Sequence, residues 1–312
     1  MSTPVLDLEA GYARIAAEQY GLVTFAQLTG MGLSPGAIHR RVRAGSLIRV
    51  LPKVYRLAGV PRSWHQRAMA VYLWAGEHSA IGGTAAAALY KLDGCAMPNS
   101  ITVMTARSLK SPHRLVVVRR PLDFKEWVGH RVDRIRVTTC VRTLVDIASE
   151  VGEAQLELAL EDARRRRLVT PVPLEQAIDG LPPNYPGRGK LMKVLSLVAG
   201  TRPTDSGLEV KVLRLLRQEG YPEPVRQEVL DDNGRFAGRV DLAYPARRLV
   251  IEVQSHRWHD GRAPVDADSA RHNRHHGMGW VVMKATKKML TGKDRGAFLK
   301  DLARVYHRPL PR

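Results

Sequence analysis

The spacing of apolar residues changes along this chain, and each change marks an expected element. Residues 9 to 20 repeat apolar positions at helical spacing, and Thr24 opens a short second helix through Phe25 and Leu28. GLSPGAIHRRVRAG offers a third helix, with Ser34 as N-cap, Pro35 in the first turn and Gly45 at the end. LIRVLPKVYRL then reads as two short strands turning near Pro52 and Lys53. Further on, Trp64 to Ala75 and Gly83 to Leu92 have helical patterns, while SITVMT, RLVVVRR and DRIRVTT alternate like strands. Helices are expected again at Val141 to Glu150 and Glu153 to Arg167. The last third holds a helix in SGLEVKVLRLLRQEG, a strand pair in RVDLAYPARRLVIEVQS with Pro245 to Arg248 as its turn, and a strand-like WVVMKAT.

Chemistry-bearing residues fall at the two ends. In the third helix Ala37, Ile38 and Val42 can face a core, which leaves His39, Arg40 and Arg43 outward at helical spacing. The strand pair after it carries Arg49, Lys53 and Arg56, so this block reads as a helix-turn-helix with a wing: the third helix for a major groove, the wing for phosphates. A winged helix serving protein contacts is the rival reading. Near the other end Asp241 and Glu252 interrupt apolar strands, and pairing of those strands would bring the two carboxylates together. Glu252 and Gln254 project from one face, Ile251 and Val253 from the other. Two close anions need a cation, a donor or water between them, and a hard divalent ion such as Mg²⁺ (or Mn²⁺) suits oxygen ligands.

Composition extends this picture to the partner. With 49 Lys+Arg against 30 Asp+Glu the formal net charge is +19, which favours a polyanion such as DNA over a small neutral substrate. No stretch approaches the length of apolar chain that spans a bilayer, and the first residues lack a signal-peptide pattern, so a cytoplasmic, nucleoid-associated location is expected. Two cysteines, Cys95 and Cys140, read as small buried residues and cannot form a disulfide framework. The histidines at positions 256, 259, 272, 275 and 276 raise a zinc alternative, but no standard spacing closes a tetrahedron. Asp268, Arg271, His272 and His275 share one helical face, equally readable as a solvated surface. The run Arg164 to Arg167 reads as a helix end that caps carbonyls and meets solvent. Breaks at LPPNYPGRGK and at Thr201 to Ser206 suggest domains at 1–60, 61–200 and 201–312.

Both ends also resemble known families. AEQYGLVTFAQLTGMGLSPGAIHRRVRAGSLIRVLPKVYRL resembles the N-terminal winged-helix domain of AbiE-type (type IV) antitoxins, with a weaker likeness extending to CVRTLVDIAS. That resemblance implies a DNA-binding autorepressor, with a partner toxin and a homodimer as companions of that reading. Glu209 on a helix, Asp241 on a strand and Glu-x-Gln on the next strand resemble the Vsr-like branch of the restriction-endonuclease (PD-(D/E)XK) fold. The resemblance implies Mg²⁺-dependent hydrolysis of DNA, with Asp241 and Glu252 as metal ligands and Glu209 in support. Lys284 would neutralise charge, and His259 and Arg271 would bind phosphate or steer a proton. Gln254 departs from the pattern, standing where the wider superfamily has a lysine; an amide orients water or phosphate but carries no charge. The expected architecture is therefore a multidomain α/β protein: an N-terminal winged helix-turn-helix, a mixed α/β middle and a restriction-endonuclease-like C-terminal core. Its expected activity is DNA cleavage, and its alternative is a non-catalytic repressor with a degenerate nuclease fold. A third class, a nucleoid or RNA-binding protein acting by charge alone, fits the composition but not the shaped N-terminal block.

Overall fold

A computed structural model describes residues 4–121, 127–232, 235–254 and 275–309. The chain forms two compact units, one made of residues 1–152 and 172–192, the other of residues 153–171 and 193–312. It is mixed α/β, with three separate sheets among the described residues.

The first unit begins with α1 (Pro4–Glu18), β1 (Leu22–Thr24), α2 (Phe25–Gly30), α3 (Pro35–Arg43), β2 (Leu47–Leu51) and β3 (Val54–Leu57). Local chemistry fixes the starts of α2 and α3. Thr24 and Gln27 form a reciprocal capping box: Gln27 N–H donates to the threonine hydroxyl at 3.1 Å, and Thr24 N–H to the glutamine carbonyl at 2.8 Å. Ser34 caps α3 by accepting from Ala37 N–H, with Pro35 at the first helical position. The three strands pair in the order β1-β3-β2, all antiparallel, and Lys53 turns the β2–β3 hairpin at φ +63°. Val23, Leu28, Leu33, Ile38 and Leu47 close the core beneath them. β1 carries no signal in the sequence, because three residues are too few for a period.

The rest of this unit contains α4 (Trp64–Ala75), β4 (Ser79–Gly82), α5 (Gly83–Leu89), β5 (Ile101–Thr105), β6 (Val116–Arg119), β7 (Val128–Val132), β8 (Ile135–Thr138) and α6 (Cys140–Ile147). Its five-stranded sheet runs β6-β5-β4-β8-β7. The sequence pattern marks neither β4 nor β7. β4 is buried along its whole length, so it lacks polar alternation, and β7 is broken by a register shift between Val128 and Arg131. α5 stops at Leu89 rather than Leu92, because Tyr90 caps it and Lys91 turns to φ +56°.

Next comes α7 (Glu153–Arg165), which belongs to the second unit, followed by α8 (Pro171–Asp179) and α9 (Arg188–Val198). The second unit continues with α10 (Gly207–Gln218), β9 (Val225–Asp232), β10 (Arg235–Tyr244), β11 (Leu249–Gln254), β12 (Val281–Thr286) and α11 (Gly292–Tyr306). Its sheet order is β12-β11-β10-β9, antiparallel except for the parallel pair β11 and β12. Val212, Leu213, Leu215 and Leu216 of α10 pack on Leu242, Leu249 and Ile251 of the sheet, together with Phe298 and Leu302 of α11. Val250 belongs instead to a second cluster with Val240 and Ala243.

The arginine run at the end of α7 is not a solvated cap. Arg164 is buried beside Glu161 and donates to the Thr201 carbonyl, while Arg165 and Arg166 both pair with the buried Asp162. Glu161 also holds Arg226, which is 5% exposed, and Glu157 holds Arg214 and Arg217. Buried anions at i and i+4 of α7 therefore face guanidinium groups from α10 and β9, a pairing between segments distant in sequence that the run itself does not announce.

Candidate nucleic-acid interface

The two ends of the chain treat their charges in opposite ways. On α3 only Ile38 is fully buried, Ala37 and Val42 are half-buried, and His39, Arg40 and Arg43 point outward, as the helical spacing requires. Arg49 and Lys53 are exposed on the β2–β3 hairpin. Ser34 fixes where α3 starts, and Gly45, at φ +74°, ends it before β2. The result is a short helix and a hairpin carrying His39, Arg40, Arg43, Arg49 and Lys53 toward solvent, backed by a dry core. Arg56 does not join them: it is buried, its guanidinium donates to the Val60 carbonyl, and it ties the strand to the following segment. Alternation in β3 puts Arg56 on the same side as Val54, and this accounts for the inward placement.

In the second unit the acids lie in a row across the sheet. The antiparallel register pairs Leu242 with Ile251, so one step further sets Asp241 opposite Glu252. Glu252 is in turn the register partner of Lys284 on β12. On the other side, β9 pairs Glu228 with Val240 and Arg226 with Leu242, which leaves Gln227 beside Asp241 with a left-handed φ of +52°. Gln227, Asp241, Glu252 and Lys284 thus come from four adjacent strands. Lys284 is exposed, Asp241 and Glu252 are half-buried, and Gln254 is exposed at the end of β11.

Hydrogen bonds show what these groups do. Glu209 is the third residue of α10 and is 3% exposed; its Oε1 accepts from the Ser206 hydroxyl at 2.9 Å, and its Oε2 from Asp205 N–H and Gln227 Nε2, both at 3.0 Å. Ser206 in return caps the helix by accepting from Glu209 N–H. Asp241 Oδ2 accepts from Val253 N–H at 2.8 Å. Burial, and next the negative charge of Asp241, push the Glu209 carboxyl up to about 7. Burial also raises the Asp241 carboxyl, aided by Glu252 and opposed by the Val253 N–H. Sequence reasoning does not single out Gln227 or Asp205; the Ser-x-x-Glu spacing at 206 and 209 is a signal for the capping role of Glu209, whereas nothing local marks Gln227.

A divalent cation of the Mg²⁺ kind requires several oxygens aimed at one centre. Both oxygens of Glu209 are committed to its own helix start and to Gln227, and one of Asp241 to the backbone. Among the described residues no three acid, histidine or cysteine side chains gather around a point. The described residues therefore do not fit the cation. His256, His259, Asp268, Arg271 and His272 lie outside the described residues; His275 is buried and His276 exposed. Among the described residues, no helix is long and apolar enough to cross a membrane.

Comparison with known proteins separates the two ends further. Two uncharacterized proteins of Mycobacterium tuberculosis, MT2308 of strain CDC 1551 / Oshkosh and Rv2248 of strain ATCC 25618 / H37Rv, are each 25% identical over 247 residues. That alignment covers 78% of this chain and 86% of each relative. Among solved structures, the RV2827C protein of Mycobacterium tuberculosis aligns over 73% of this chain and 89% of its own, at 17% identity and a TM-score of 0.43. Residues 12–58, which run from α1 through the β2–β3 hairpin, match the family model described as transcriptional regulator, AbiEi antitoxin.

Proposed function

We propose that this protein is a DNA-binding transcriptional regulator of the antitoxin type, and that its N-terminal block is a winged helix whose α3 enters the major groove. The observation that carries this reading is the outward set His39, Arg40 and Arg43 on a helix whose Ile38 is locked in the core, inside the segment that matches the regulator family. A helix held this way presents guanidinium forks that suit base edges and phosphates. Arg49 and Lys53 of the hairpin flank it as phosphate contacts, which position the protein on the duplex without reading sequence. The net charge of +19 supplies long-range attraction. A partner toxin and a homodimer belong to the same reading, as does action in the cytoplasm at the nucleoid.

In this reading the C-terminal row of Asp241, Glu252 and Lys284 belongs to a nuclease-like fold that is retained without its metal chemistry. The alternative, Mg²⁺- or Mn²⁺-dependent cleavage by that row, draws support from the alignment of the three residues across the sheet but not from the commitments of Glu209 and Asp241. Two assays separate the readings. Footprinting on the DNA upstream of the protein's own coding sequence should show a protected site that Arg40→Ala and Arg43→Ala weaken. Plasmid incubated with the protein and Mg²⁺ or Mn²⁺ should stay supercoiled; metal-dependent nicking that disappears in Asp241→Ala and Glu252→Ala would establish the nuclease instead.

A further inference from the structure

In the first unit, the buried Tyr72 hydroxyl on α4 and the buried Oε1 of Gln19, just after α1, have no hydrogen-bond partner among the described residues. Tyr72 is 5% exposed, so its hydroxyl cannot be satisfied by bulk water. An unmatched buried hydroxyl or amide carbonyl costs more than a hydrogen bond returns, so such groups mark a missing partner. Both residues line one cleft of about 570 Å³, within the range of small-molecule sites and far larger than one ordered water, ~30 Å³, would fill. Met69 and Leu73 supply its apolar wall. Glu18, Glu77, Arg131 and Arg134 supply two charges of each sign, and Glu18 and Arg134 approach to 3.5 Å.

We propose that this cleft binds a small zwitterion with an apolar side chain, a molecule of the amino-acid class. Balanced carboxylates and guanidiniums suit a ligand carrying both an ammonium and a carboxylate, where a purely anionic or cationic ligand would meet like charge. The ammonium answers the unpaired Gln19 carbonyl, Tyr72 donates to the ligand's carboxylate, and the side chain lies against Met69 and Leu73. Thr24 and Gln27, the capping box of α2, line the same cleft. Binding there bears on the helix that precedes α3, so the ligand acts as an effector of DNA binding; this last step rests on the regulator reading proposed above.

Calorimetric titration of the full chain with L-phenylalanine, L-leucine and L-tryptophan tests the site without DNA. Saturable binding by at least one is expected, and for L-phenylalanine the charge-deleted analogues 3-phenylpropionate and phenethylamine should bind more weakly. Tyr72→Phe, which keeps the ring, should weaken binding roughly five- to tenfold at an unchanged melting temperature. Absence of saturable heat for all three amino acids, or undiminished binding in both Tyr72→Phe and Gln19→Met, overturns the site. Footprinting with and without the bound amino acid reads the coupling. Heat without any DNA footprint keeps the site and removes the regulator reading, whereas a footprint without heat does the reverse.

Discussion

The α3 helix and the α10–β10–β11 corner both carry charged residues on apolar scaffolds, yet they use those charges differently. On α3 the charges point away from a dry core: Ile38 is buried, and His39, Arg40 and Arg43 face outward. At the corner they turn inward, where Glu209 takes three hydrogen bonds from its own segment and from Gln227, and Asp241 takes one from Val253. Charges left in solvent are available to a partner, whereas charges matched inside the fold hold it together. Removing an outward charge should therefore weaken binding without loss of stability, and removing an inward one should do the opposite.

The largest inward effect is expected at Arg226. It is buried against Glu161 and reaches the Leu197 carbonyl, so Arg226→Met leaves a buried carboxylate short of one partner. Urea unfolding should show a loss of about 3 kcal/mol, the low end for a broken buried pair because Arg164 still contacts Glu161. DNA affinity should not change beyond that due to unfolded protein.

Glu209 gives a pH signature. Its carboxyl titrates near 7 in the fold, above its ordinary 4.5, so between these values the native state holds a proton that the unfolded chain has released. The associated stability is complete below about 4.5 and is lost as pH rises through about 7, amounting to a change on the order of 2 kcal/mol over that window. Glu209→Gln preserves the acceptor for Asp205 and Gln227 and offers an amide to Ser206, so it should remove this slope from thermal melts. The buried Asp146, raised to about 6 mainly by burial, adds a slope of the same sign, but it does so in wild type and variant alike and cancels from the difference. An unchanged slope in Glu209→Gln would mean that the carboxyl is ionised throughout.

A smaller effect separates scaffold from reader at α3. Ser34→Ala deletes the cap on Ala37 N–H and should cost about 1 kcal/mol of stability, read by thermal melting, because the first turn loses one of its few partners. Retained full stability would mean that solvent replaces the cap at no cost.

Much of this contrast is legible in the sequence, though unevenly. The α3 helix can be read because its signals are local: Ser34 and Pro35 at the start, Gly45 at the end, and a spacing that separates Ile38 from Arg40 and Arg43. The strand pair carrying Asp241 and Glu252 is readable for the same reason, with the Pro245–Arg247 turn between them. Arg56 departs from its expected place on the wing because both faces of a short strand carry plausible residues, and only the pairing with β1 and β2 settles which is inward. The Arg164 to Arg167 run departs from the solvated cap expected of it because tertiary packing brings the Thr201 carbonyl to Arg164, and Arg226 to the same Glu161. Gln227 has no sequence signal at all, since its role depends on a backbone turn at φ +52° opposite Asp241.

The central claim is that outward arginines on α3 read DNA. Fluorescence anisotropy of a duplex containing the footprinted site, against a scrambled duplex over a range of salt, tests it directly. Arg40→Ala and Arg43→Ala should each lose about 1–3 kcal/mol of affinity for the matched duplex or flatten the salt dependence, with melting temperatures unchanged. Wild-type affinity and salt slope in the double variant would contradict the account.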